Sequence, residues 1–210
     1  MLGGMSEESN QQQEEEHPGE VLTVSYERIR HSSNSPELSK LARQTLPDRS
    51  DQAAYSRATA LLEAVAGNEH TPLEDRVFMA QTMPFPNVLV KLSHDPDPQV
   101  RRAVAANKDD KNWLAGVLTK DPDQGVRAAA LMNPMTSWKM RLEGAQSEDT
   151  DSETLDWLGQ LGVEIEPGAP TVLATMVRRA VALNPSANAE TISRLAKDAD
   201  KHVAKAASSR

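Results

Sequence analysis

The sequence predicts an all-α fold: an α-solenoid of short helical repeats of about 26 residues, with an acidic N-terminal tail and an irregular acidic insert. Three observations lead there. The stretch "DPDPQVRRAVAANKD" at 95–109 returns as "DPDQGVRAAALMNPM" at 121–135, and a repeated unit of this size indicates a stacked array. The valines inside the motif, Val100, Val126, Val177 and Val203, stand 26, 51 and 26 residues apart, so the middle gap leaves room for one degenerate unit. Each complete copy runs i, i+3, i+4, i+7: Val100, Ala103, Val104 and Asn107; Val126, Ala129, Ala130 and Asn133; Val177, Ala180, Val181 and Asn184. These positions share one helix face, and the alanines let a neighbouring helix approach closely.

The elements follow in chain order. Residues 1–20 hold six Glu, no Lys or Arg, and no periodic apolar positions, so a disordered acidic tail is expected, with the helical repeat domain spanning 21–210. "VLTVSYERIRHSS" at 21–33 is ambiguous between a short strand and a helical turn. Helical patterning begins at "NSPELSKLARQ", where Pro36 suits a first turn, and resumes from Asp51 through "AAYSRATALLEAVAGN". Asp95-Pro96 and Asp121-Pro122 are expected to open helices, with Asp as the cap. Asn107, Asn133 and Asn184 are expected to end them in a left-handed conformation, and Pro134 and Pro185 block continuation. A second apolar piece completes each unit: "NVLVKLSHD", "WLAGVLTKD", "SWKMRLEGA" and "TISRLAKDA". No unit buries its face alone, so neighbours supply the core.

The formal charge of −8 is unevenly placed. The tail and the stretch 142–177 together carry 14 acidic residues and no Lys or Arg; the other 17 acidic residues face all 23 basic ones, a mildly basic body. The insert, about 143–171, is expected to form a solvated loop and one short helix, "SETLDWLGQLG", docking Leu155, Trp157 or Leu158; a regulatory insert competing with an anionic partner is the alternative. With no cysteine there is no disulfide, thiolate zinc site, Cys-held iron–sulfur cluster or cysteine nucleophile. The start of the chain lacks a signal-peptide pattern, and no apolar run is long enough to span a membrane, so a soluble cytoplasmic protein is expected.

"LVKLSHDPDPQVRRAVAANK", "LTKDPDQGVRAAALMNP" and "VRRAVALNPSANAETISRLAKD" resemble the variant leucine-rich repeat and are close to HEAT-like repeats, over roughly residues 60–142 and 172–210. The resemblance implies short helices alternating in a right-handed superhelix. The iron–sulfur module of the family's prototype needs cysteines that this chain lacks, so no redox role follows.

Two rows of basic residues are the candidate partner-binding positions. Arg101, Arg127 and Arg178 follow the repeat valines, and Arg102, Arg179 and Lys205 stand one step further round the helix. HEAT-like repeats imply that the first row forms an Asp–Arg ladder between units, and Asp95 with Arg101 and Asp121 with Arg127 have that spacing. The second row points about 200° from the apolar centre and is expected to face solvent. Trp113 and Trp138 are expected in core or half-core positions. The five histidines show no metal-ligand spacing, and no phosphate loop, nucleophile elbow or catalytic carboxylate pair is present, so no catalytic residue, cofactor or metal is expected. The expected function is a non-enzymatic scaffold binding a protein partner through its extended surface. The alternative is a nucleic-acid-associated module using the basic row.

Overall fold

The computed structural model describes residues 20–209, so the predicted tail lies almost wholly outside the described residues. Those residues form thirteen α-helices and no strand; the only β pairing among them is an isolated bridge, Leu161 to Ile165. None of these helices is long and apolar enough to cross a membrane.

Residues 21–33 resolve as helix α1 (Leu22–Arg30), closed by Arg28 and Arg30 in its last turn, where cations suit the helix dipole. α2 (Ser35–Ala42) and α3 (Gln52–Ala66) are capped by Asn34 and Asp51, whose side chains accept the Glu37 and Ala54 N–H groups. α4 (Leu73–Thr82) is a helix the sequence patterning did not predict. α5 (Pro86–Ser93), α6 (Pro98–Ala106), α7 (Leu114–Leu118) and α8 (Gln124–Met132) are the paired pieces of the two clearest repeats. α9 (Trp138–Gln146) and α10 (Ser152–Leu158) fill the 51-residue gap, and α11 (Thr171–Leu183), α12 (Ala189–Leu195) and α13 (Lys201–Ser208) complete the chain.

Helices α4, α6 and α8 lie side by side, as do α9, α11 and α13, while α5, α7 and α12 cover the seams between them. Val100, Val126, Val177 and Val203 are 0–1% exposed and form the spine of the core. Burying each contributes about 1.5–3 kcal/mol. The core falls into two clusters, one ending at Ala130 on α8 and the other beginning at Ala145 on α9.

Three expectations are corrected by the local geometry. The helix caps are Asp97 and Asp123, not Asp95 and Asp121: their side chains accept the Gln99 and Val126 N–H groups. Asp95 and Asp121 instead accept the N–H of the caps themselves, at 2.9 and 2.8 Å, which tightens the turn and turns the second carboxylate oxygen toward an arginine. The asparagines do not end their helices in left-handed conformation; Asn107, Asn133 and Asn184 are extended, with φ of −65°, −75° and −76°. They are buried rungs between helices. Asn133 Nδ2 donates to the Ala105 and Asn107 carbonyls at 2.8 Å each, Asn107 to Ala80 and Met83, and Asn184 to Ala145 and Ser147. An Asn amide has two donors in a fixed fork, which suits two orphan carbonyls at the end of the preceding helix. Trp113, expected to pack inward, is 60% exposed.

The arginines make a second set of rungs. Arg76 pairs with Asp95, Arg101 with Asp121 and Arg178 with Asp198, so each carboxylate serves the preceding arginine rather than the one six residues later. Burial pushes the Asp121 and Asp198 carboxyls up, but the paired guanidinium and the turn N–H outweigh it and hold both below their ordinary 3.8. A carboxylate with its folded pKa lowered stabilises the fold above the unfolded value, and that contribution is lost as pH falls through the folded value. Urea midpoints are therefore expected to drop below about pH 4, with Asp198→Asn flattening the dependence while lowering the midpoint at pH 7.

Candidate interaction surface

A cleft of about 650 Å³ lies between α6, α8 and α10. Its floor is Ala106, Gly125, Ala128, Ala129 and Met132; one wall carries Arg102 and Lys108, the other Asp151, Glu153 and Trp157. The local sequence explains each part. Small residues on the outer face of α8 leave a hollow where a longer side chain would fill it. α10 stands over that hollow because Leu155 and Leu158 are fully buried beneath it. Asp151 caps α10 by accepting the Thr154 N–H at 2.8 Å and hydroxyl at 2.7 Å. Burial raises its carboxyl, yet these bonds and one from Gln124 hold it below the usual range, so this wall is anionic at neutral pH.

The face that floors the cleft on α8 is uncovered on α11. A shift of 51 residues carries Gly125, Ala128 and Met132 onto Met176, Arg179 and Leu183. Val172, Met176 and Leu183 are 72%, 46% and 57% exposed, an apolar stripe around the exposed Arg179. The structure thus separates the two candidate rows. Arg102, Arg179 and Lys205 are all exposed and form no ion pair among the described residues, with only Arg102 in the cleft. Ala128 stands between the first two in register, so the row is not a continuous ridge. Arg101 and Arg178 are committed to Asp121 and Asp198, with side chains 14% and 7% exposed. Among the described residues Arg127 hydrogen-bonds only to backbone carbonyls, although its charge also helps to lower the Asp121 carboxyl.

Arg141 is the important residue the sequence reading passed over. It is 1% exposed, donates to the Asn133 carbonyl at 3.0 Å and to both Glu166 oxygens, and lies over the rings of Trp138 and Trp157 at 5.0 and 5.6 Å. Stacked guanidinium and bidentate carboxylate together fit Arg and not Lys. Glu166 is the one non-glycine with positive φ among the described residues, 48°, a cost met by its grip on Arg141. A signal for this was present. Arg141 stands six residues before Ser147, as Arg101, Arg127 and Arg178 stand six before Asn107, Asn133 and Asn184.

Comparison of the chain with protein-family models, with curated proteins and with solved structures finds no match.

Proposed function

We propose that the chain is an α-solenoid scaffold, related to the variant leucine-rich and HEAT-like repeats, that binds a protein partner without catalysis through the face formed by α6, α8 and α11. Successive helices stack with their apolar seams inward, which leaves an extended outer face free for a ligand. The observation that supports the reading is one helix register used twice: small residues make a cleft on α8, and the positions 51 residues further on make an exposed apolar stripe on α11. Apolar stripes flanked by unpaired arginines are the composition of protein–protein hot spots. A nucleic acid fits this face less well, because α8 interrupts the basic row and Asp151 and Glu153 form the opposite wall.

The double variant Arg102→Glu/Arg179→Glu is expected to weaken capture of partners from the native cytosol at least ~tenfold, about 1.4 kcal/mol, with far-UV circular dichroism unchanged. Both side chains are exposed and form no ion pair among the described residues, so the described fold does not depend on them. Unaltered capture by a folded double variant counts against this face. Binding of DNA or RNA that weakens steeply with salt would favour the nucleic-acid module instead.

A further inference from the structure

Arg101, Arg127 and Arg178 occupy one register position, yet only Arg101 and Arg178 hold a carboxylate. In Arg101, Nη1 donates to the Asp95 and Pro96 carbonyl oxygens at 2.8 and 3.1 Å, and the Nε–Nη2 edge grips Asp121 at 2.8 and 3.0 Å. Arg127 repeats the first half of this arrangement: its Nη1 donates to the Asp121 and Pro122 carbonyls at 2.9 Å each. The second half is missing. Among the described residues Nη2 reaches only the Asp149 carbonyl, at 3.4 Å, and the residue is partly exposed. The cause lies in the chain. The acidic position occupied by Asp95 and Asp121 falls, 26 residues further on, at Ser147. Ser147 Oγ accepts the Asp149 N–H as Asp121 Oδ1 accepts that of Asp123, so serine keeps the turn but offers no anion.

We propose that the Nε–Nη2 edge of Arg127 is a carboxylate-binding site, filled by an Asp or Glu side chain of the protein partner. Two carbonyls already fix Nη1, so the fork is held in the orientation that its neighbour uses for a bidentate pair. Little side-chain freedom remains to be lost on binding. The identity of the donor as a protein rests on the scaffold reading; the site itself rests on the fork alone.

The test follows the arginine Nε–Hε resonances of the full chain by NMR during titration with sodium acetate, inorganic phosphate, or a blocked pentapeptide carrying two glutamates. The Arg127 resonance is expected to shift saturably, with the peptide acting at roughly tenfold lower concentration than acetate, while Arg101 and Arg178 stay fixed. Ser147→Asp should place the Arg127 resonance near the titration end point without ligand, abolish the response and raise the thermal midpoint. Arg127→Lys should leave no saturable response at this position in the lysine Nζ spectrum. Acetate as potent as the peptide would overturn the protein donor, and phosphate as potent as either would overturn carboxylate recognition. An Arg127 resonance unmoved by all three ligands would overturn the site. Because the ligands are defined, these outcomes are separate from capture through Arg102 and Arg179.

Discussion

Arg141→Ala is expected to destabilise the protein by about 3 kcal/mol, seen as a lowered urea midpoint by circular dichroism and tryptophan fluorescence together. The guanidinium does three things at once. It satisfies the Asn133 carbonyl at the end of α8, neutralises Glu166, and fills the space between Trp138 and Trp157. Alanine leaves the carbonyl without that donor, the carboxylate without its partner and a cavity between two rings, each a recognised source of large losses. The figure lies at the low end for a broken buried pair because the Glu166 side chain is 30% exposed and can be rehydrated. Arg141→Met separates the contributions: it restores most of the packing but no polar contact, so it should cost about half as much. A loss below about 0.5 kcal/mol for the alanine variant, the level of an ordinary surface substitution, would show that the clasp adds little.

Asn133→Ala should cost about 2–3 kcal/mol by the same measurement. The side chain is 2% exposed and makes three bonds, two to the Ala105 and Asn107 carbonyls and one from the Met135 N–H. They are not equal. The Asn107 carbonyl also accepts from Asn112 Nδ2 at 2.7 Å and stays satisfied, so the penalty comes from Ala105 O and Met135 N–H. Asn133→Asp is expected to be at least as harmful, since it turns an oxygen toward two carbonyls that need donors. An aspartate variant as stable as the parent would contradict the assignment of the amide orientation.

How far the sequence reveals this molecule depends on whether a residue acts within its own unit or across units. Val100, Val126 and Val177 were legible because a helix face is set by spacing alone. The helix ends were legible in position and misread in cause. Asn at a helix end fits a backbone stop, yet Asn107 and Asn133 serve carbonyls 24 to 28 residues earlier, which local patterning does not reveal. The same holds for the aspartates: Asp121 stands just before α8, but its carboxylate pairs with Arg101 of the unit before. Within the 51-residue gap both short helical pieces were legible, but not the double role of the first. α9 follows Asn133 and Ser137 as the second piece of a unit, then packs against α11 as a first piece does, with Asn184 bonded to its end. One helix with two roles hides a unit boundary, because Ser147 stands where the pattern expects Asn or Asp. For the surface, Arg102 and Arg179 were found by register, whereas the cleft depends on where α10 docks, a tertiary choice.

The central functional claim is that α8 and α11 present one face to one partner. Photo-crosslinking tests it most directly, with a photoreactive amino acid placed singly at Met132, at Leu183 and, as a control outside the cleft at the N-cap of α7, at Trp113. The account predicts that Met132 and Leu183 capture the same protein and that Trp113 does not. Different proteins at Met132 and Leu183, or the same one at Trp113 as well, would contradict it.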